Sequence, residues 1–172
     1  MDDGEPMAAD DAAAEGPEVE NAEQALAAHE TIWPDDPFAP VDLPTQRREA
    51  RTRAVTLLYE AEMKARSASM VLDELTLAPE PMAAELVVGV DDHQLELDEQ
   101  ISAALDAKWS LARLSVIDRI VLRLATYELM YREQVPTGAA INEAVDIARQ
   151  FSGPEAGRFV NGVLSGVARA VR

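Results

Sequence analysis

The chain has 172 residues, with 15 Lys and Arg against 32 Asp and Glu, and its formal net charge is −17. The length favours one folded domain with an appendage, and an apolar content of 48% is sufficient for a core. The absence of cysteine excludes disulfides, thiolate catalysis and cysteine-ligated metals. Since no apolar run reaches the roughly 18 residues of a transmembrane helix and the N-terminus is acidic, we expect a cytoplasmic protein without a membrane partner.

The negative charge is concentrated at the N-terminus. Residues 1–45 contain 13 Asp and Glu, six of the ten prolines and no Lys or Arg. Residues 46–172 contain 19 acidic and 15 basic residues, a net charge of −4. A segment of low hydrophobicity with charge of one sign cannot offset the chain entropy that folding removes. We therefore predict a disordered acidic tail at 1–45 and a folded domain at 46–172.

Beyond residue 45 the apolar residues recur with helical spacing. The first helix has the stripe Ala50, Ala54, Leu57, Leu58 and Ala61. No alternating strand pattern follows, so we predict an all-α bundle of roughly six to seven helices. The further helices are expected at 70–77, 82–90, 95–107, from 115 onward, at 141–151 and from 154 onward. The helix at 141–151 has the apolar stripe Ile141, Ala144, Val145, Ala148 and Phe151, and the stripe of the last helix extends over 159–171.

Two helix boundaries have clear signals. Ser115 followed by Asp118 is typical of a capping box, in which side chains bond the free amides of the first turn. The helix that follows is apolar nearly all round, so we expect it at the centre of the bundle. Ser152-Gly153-Pro154 ends one helix and begins the last, with proline at its first position.

The sequence lacks the patterns of a catalytic or cofactor site. It has no glycine-rich phosphate loop, nucleophile elbow or dinucleotide fingerprint, and neither histidine has a second ligand at metal-binding spacing. One carboxylate cluster lacks the spacing of a calcium loop and is typical of a solvated helix start. Its members are Asp91, Asp92, Glu96 and Glu99. We predict a protein that is not an enzyme, with no catalytic residue, metal or cofactor.

Basic residues cluster where the tail meets the first helix. If that helix includes the cluster, Arg48 and Tyr59 lie three turns apart along one flank. Arginine binds phosphate through two donors and an aromatic ring stacks on bases, which suits single-stranded RNA. A solvated helix start that pairs with the acidic tail is the alternative, although positive charge at a helix N-terminus favours an anionic ligand. The cluster is Arg47, Arg48, Arg51 and Arg53.

Several motifs in the helical domain resemble the bacterial transcription antitermination factors of the NusB family. The resemblance extends over residues 47–172 and leaves out the acidic tail. The motifs are Arg123-Leu124-Ala125-Thr126-Tyr127-Glu128-Leu129, Val135-Pro136, Ala140-Ile141-Asn142-Glu143-Ala144-Val145 and Phe159-Val160-Asn161-Gly162-Val163-Leu164.

The resemblance implies a fold of two helical sub-bundles and a non-catalytic role in transcription. Proteins of this family pair with NusE, a ribosomal protein, and bind the boxA element of ribosomal RNA leaders. The pair joins the transcription elongation complex with RNA polymerase and supports ribosomal RNA transcription. Alternatives are a helical interaction scaffold without RNA contact, and a homodimer that covers the arginines.

Carried over by position, the resemblance implies specific site residues. It places at Asp118 a carboxylate that faces NusE. Asn142 and Asn161 are interpreted as structural residues that bond backbone at helix junctions. The field of an acidic chain opposes RNA, so we expect tight binding to need a partner. The residues implied in RNA binding are Arg47, Arg48, Arg51, Tyr59, Arg158 and Phe159.

Overall fold

The computed structural model describes residues 43–172, which contain seven α-helices and no strand. The predicted all-α class is confirmed. The prediction of a disordered tail concerns mainly residues 1–42, which lie outside the described part of the chain. Among the described helices, none combines the length and the apolar character that a membrane span requires. The helices are α1 (Leu43–Lys64), α2 (Ala68–Asp73), α3 (Pro81–Asp92), α4 (Gln94–Ala104), α5 (Val116–Tyr131), α6 (Thr137–Ser152) and α7 (Pro154–Val171), with a 3₁₀ turn at Leu111–Arg113.

The helices form two groups that meet at α5. Helices α1, α2 and α3 pack on one another, and α6 and α7 pack on each other and on α5. Helix α4 lies against α5 and α7, and α5 also contacts α1 and α3. The arrangement confirms the two sub-bundles and the central position predicted for the most apolar helix.

Some helix bounds differ from the predicted ones for local reasons. Helix α1 begins at Leu43, inside the segment assigned to the tail. Helix α2 begins before residue 70 because the Ser67 side chain accepts a hydrogen bond from the Met70 amide at 3.4 Å. Helix α4 ends at Ala104 because Leu105 has an extended backbone, with φ −71° and ψ 141°.

The caps predicted for α5 and α7 are present. The Asp118 amide donates to Ser115 Oγ at 3.1 Å, which caps α5. The carboxylate of Asp118 makes no return bond to the Ser115 amide, so only one half of the capping box forms. Gly153 has a φ of 95°, in the left-handed region that glycine adopts without strain, and Pro154 begins α7.

A charged pair lies inside an otherwise aliphatic core. Arg51 of α1 donates from Nε and Nη2 to the two carboxylate oxygens of Glu128 of α5, at 2.9 Å each. The two residues are only 4% and 0% exposed. Arg51 Nη1 also donates to the Arg47 carbonyl at 3.2 Å. Because the pair is bidentate and buried, it fixes α1 on α5 and holds the first turns of α1 in place.

Replacing Arg51 by Ala leaves a buried carboxylate without a partner, so we expect the free energy of unfolding to fall by about 3–5 kcal/mol. The measurement is equilibrium unfolding in urea. Arg53→Ala removes an exposed arginine from the same helix and is the control. The double variant Arg51→Met with Glu128→Leu should recover most of the loss, because it leaves no charge buried. An Arg51→Ala protein as stable as Arg53→Ala would show that the pair does not support the fold.

A second arginine closes the C-terminal end of α5. Arg172 Nε donates to the Leu129 carbonyl at 2.8 Å, and Nη1 donates to the Val135 carbonyl at 2.8 Å. Its Nη2 donates to the carbonyls of Glu128 and Arg132 at 3.1 and 3.0 Å. The last carbonyls of a helix lack a partner within it, and here one guanidinium supplies donors for two carbonyls in the last turn of α5 and for two in the connection that follows.

We expect Arg172→Ala to lower the free energy of unfolding by about 1–3 kcal/mol, since several carbonyls lose a charged donor. Arg169→Ala, an exposed position on the same helix, should change it by less than about 0.5 kcal/mol. Urea unfolding of both variants gives the comparison. Equal effects would mean that the contacts of Arg172 contribute no more than a surface charge.

Candidate nucleic-acid interface

The arginine cluster at the start of α1 divides into an inward and an outward part. Arg47 is exposed and makes no ion pair within residues 43–172, and the Arg48 side chain is 54% exposed. Arg51 is buried on Glu128, so the expectation that it presents its guanidinium to a ligand is wrong. The physical reason is that Arg51 falls on the core side of α1, three and four residues before the buried Ala54 and Val55.

Arg48 is held by two carboxylates of α6. Its Nε and Nη2 donate to Glu143 at 3.1 and 2.9 Å, and Nη2 also donates to Asp146 at 3.1 Å. The hydrogen bonds to Glu143 and then the charge of Glu143 raise the pKa of Arg48, with a smaller contribution from Asp146. The contacts join the start of α1 to the middle of α6, and they leave one side of the guanidinium at the surface.

A groove of about 670 Å³ lies between α1, α6 and α7, and we call it the arginine groove. It brings together two of the predicted RNA-binding residues, Arg48 and Arg158, although the sequence separates them by more than 100 positions. Arg158 is highly exposed, and among residues 43–172 its one ion pair is with Glu155, one turn away, at 3.1 Å. The lining side chains include Arg48, Asn142, Glu143, Asp146, Arg149, Arg158 and Asn161.

Arg149 was absent from the predicted site, and its place in the groove depends on a glycine. A Cβ atom at Gly157 would stand 2.7 Å from Arg149 Cγ and 2.9 Å from Arg149 Nε. The Arg149 side chain therefore lies across α7 at a point where only glycine leaves enough space.

Asn142 and Asn161 face the same groove. Both side chains are exposed, and neither makes a hydrogen bond to the backbone in the described part of the chain. The interpretation of these residues as structural is therefore wrong, and their amides are free to face a ligand. They lie on α6 and α7, in two of the motifs described in the sequence analysis.

An aromatic and basic cluster continues from the arginine groove. Phe159 follows Arg158, is half-buried, and packs on Trp109 with ring centroids 5.4 Å apart. Trp109 is 47% exposed, and the guanidinium of Arg113 lies 5.9 Å from its ring centroid. The sequence prediction omitted Trp109 and Arg113. Their signal was an aromatic residue and a base in the connection before α5.

Tyr59 lies in a separate hollow, lined by Thr56, Val116, Ile117 and Phe151, which we call the tyrosine hollow. Tyr59 is 40% exposed and stands on the same helix as Arg48, as predicted. Phe151, which the helical stripe had placed in the core, is 44% exposed beside it. Two rings at the surface provide an apolar platform between α1, α5 and α6.

Asp118 lies near the start of α5, directly after Ile117 of the tyrosine hollow. It is half-buried, and its Oδ1 is shielded from solvent and lacks a hydrogen-bond partner in the described residues. A shielded carboxylate oxygen without a donor is unfavourable, and this one is covered by the chain itself.

Comparison with known proteins identifies relatives for the whole helical domain. The NusB family model matches residues 48–169. The transcription antitermination protein NusB of Geobacillus kaustophilus (strain HTA426) is 39% identical over 129 residues, which cover 74% of this chain and 98% of that protein. The same protein of Bacillus cereus (strain B4264) is 40% identical over 126 residues, or 71% of this chain and 96% of that one.

Solved structures show the same fold. NusB of T. maritima superposes with a TM-score of 0.65 at 35% identity, covering 72% of this chain and 90% of that chain. The antitermination factors NusB and NusE in complex with double-stranded RNA give a TM-score of 0.62 at 29% identity, with 72% and 96% covered. Since the family model spans most of the sequence and the relatives are matched over nearly their full length, the chain belongs to the NusB family.

Proposed function

We propose that the chain is a non-enzymatic transcription antitermination factor that binds boxA-type RNA of ribosomal RNA leaders together with the ribosomal protein NusE. In this role it joins the elongation complex with RNA polymerase and supports ribosomal RNA transcription. The family supports the general role, because relatives carry the name of transcription antitermination protein. A structural relative bound to NusE and RNA supports the two kinds of partner.

The observation that carries the proposal is the arginine groove with aromatic rings beside it. Arg47, Arg48 and Arg158 present guanidinium groups at the surface, and such groups bind phosphate oxygens. Phe159, next to Arg158 on α7, and Tyr59, in the tyrosine hollow, add ring surface. Arg51 keeps a place in the proposal only as a positioning residue, since its contact with the Arg47 carbonyl holds the cluster.

The exposed rings favour RNA with unpaired bases. In an A-form duplex the bases are stacked on each other, whereas single strands offer free faces to aromatic side chains. Tyr59 and Trp109 are 40% and 47% exposed, so their rings are accessible without a change in the fold. A single-stranded boxA element matches this surface better than a duplex does.

NusE supplies what this chain lacks for tight binding. The described domain has a net charge of −4, and few guanidinium groups are free of carboxylates. Three or four phosphate contacts alone give a log–log salt slope of only roughly −3. In the proposal the half-buried Asp118 faces NusE, and positive charge on that partner adds the attraction for phosphate that this chain lacks.

The test is RNA binding by the double variant Arg47→Ala and Arg48→Ala, measured by fluorescence anisotropy with a boxA oligonucleotide and with NusE present. We expect affinity to fall by about tenfold or more, and the log–log salt slope to become shallower by roughly 1.4, because two phosphate contacts with a single strand are lost. Pairing with NusE, measured by calorimetry, should be unchanged.

The double variant Lys64→Ala and Arg66→Ala is the matched control, since it removes two exposed positive charges at and just after the end of α1. It should leave RNA binding near the wild-type value. If the Arg47 and Arg48 double variant binds RNA as the control does and still pairs with NusE, the alternative of a helical scaffold without RNA contact is correct. The buried pair of Arg51 and the carboxylates on Arg48 are the observations that favour that alternative.

Stacking on Tyr59 can be tested separately from charge. We expect Tyr59→Leu to weaken boxA binding by about fivefold or more, because stacking of a base on an aromatic ring contributes about 1–3 kcal/mol. Tyr59→Phe retains the ring and should bind as the wild type. Equal affinity of the Leu and Phe variants in the same anisotropy assay would exclude a stacking role.

A further inference from the structure

Asp146 stands between two arginines of the arginine groove. Its Oδ2 accepts from Arg48 Nη2 at 3.1 Å, and its Oδ1 lies 3.7 Å from Arg149 Nη1. A carboxylate with one oxygen toward each of two guanidinium groups has the arrangement that a phosphate would take between them, because a phosphate also offers separate oxygens to two cations.

The donors of Arg48 show which carboxylate competes with a phosphate. Nε and one N–H of Nη2 are used by Glu143, and the other N–H of Nη2 is used by Asp146. Nη1 donates to no group among residues 43–172. A phosphate that binds the end of a guanidinium uses Nη1 and Nη2 together. Asp146 therefore occupies half of that end, whereas Glu143 holds the other edge and fixes the plane of the group.

The exposure of the two carboxylates agrees with this division. The Glu143 side chain is 20% exposed and that of Asp146 is 48% exposed. An ion pair in so exposed a place contributes little to stability, so the fold does not depend on Asp146. Arg149 is kept within reach of it by the space over Gly157.

We propose that Asp146 occupies a phosphate position in the RNA-free protein and thereby limits the affinity for RNA. This inference rests on the proposed function. A phosphate of bound RNA displaces the carboxylate and takes over both guanidinium groups. Phosphate contacts carry no sequence information, so competition from Asp146 weakens binding to any RNA. The preference for the cognate element must then come from contacts with its bases, such as stacking.

The test compares Asp146→Asn with the wild type in boxA binding with NusE present. We expect binding at low salt to tighten by about twofold to fivefold, in line with the strength of exposed ion pairs. The log–log salt slope should stay near the wild-type value, because a phosphate contacts the same two guanidinium groups in both complexes. A scrambled RNA of equal length should bind more tightly by the same factor, so that the ratio between the two affinities does not rise.

Two variants separate this effect from others. Asp73→Asn makes the same change in net charge at an exposed position of α2, outside the groove, and should leave RNA binding near the wild-type value. Glu143→Gln loosens Arg48 and should not tighten binding. The inference is overturned if Asp146→Asn fails to tighten binding, or if either of the other variants tightens it equally. If Asp146→Asn fails this test but RNA binding is lost in the Arg47 and Arg48 double variant, the inference is wrong and the proposed function stands. If the wild type binds no RNA, both are wrong.

Discussion

The salt bridge between Arg51 and Glu128 is the contact on which the candidate interface depends. It joins the first helix to the central one inside an aliphatic core, where an unpaired charge would be strongly unfavourable. The guanidinium of Arg51 also donates to the Arg47 carbonyl, so the same side chain that forms the salt bridge contacts the first turns of α1. The exposed arginines are thus placed by a residue whose own guanidinium is buried.

One short run of arginines therefore serves two purposes, and helical geometry decides which residue does which. Arg51 shares a face with Ala54 and Val55 and points into the bundle. Arg48 lies on the flank of α1 that faces α6, where Glu143 and Asp146 meet it. A basic motif read only as a list of charges misses this division, because all four arginines have the same chemistry.

The helices were predictable from the sequence, since apolar spacing and capping residues are local signals. The charged pair also had a signal, because Arg51 and Glu128 interrupt two apolar stripes with opposite charges. The contacts of Arg48 and the ring pair of Trp109 with Phe159 join residues far apart in the chain, and no local pattern specifies them. Phe151 lies on the apolar stripe of its helix but is exposed. The periodicity shows which face of a helix is apolar, but not how far the neighbouring helices extend over that face.

The weak overall charge complementarity makes local geometry decisive for an anionic ligand. At physiological ionic strength charges are screened over about 8 Å, so the net charge of distant surfaces acts less on a bound phosphate than the groups lining the groove. Within that distance of the Arg48 guanidinium stand two carboxylates that contact it directly. Binding then exchanges one set of ion pairs for another, and the resulting free energy of binding is a small difference. A partner that adds positive charge or aligns the bases easily changes so small a free energy of binding. RNA recognition in a complex is therefore compatible with a net charge of −17 on this chain.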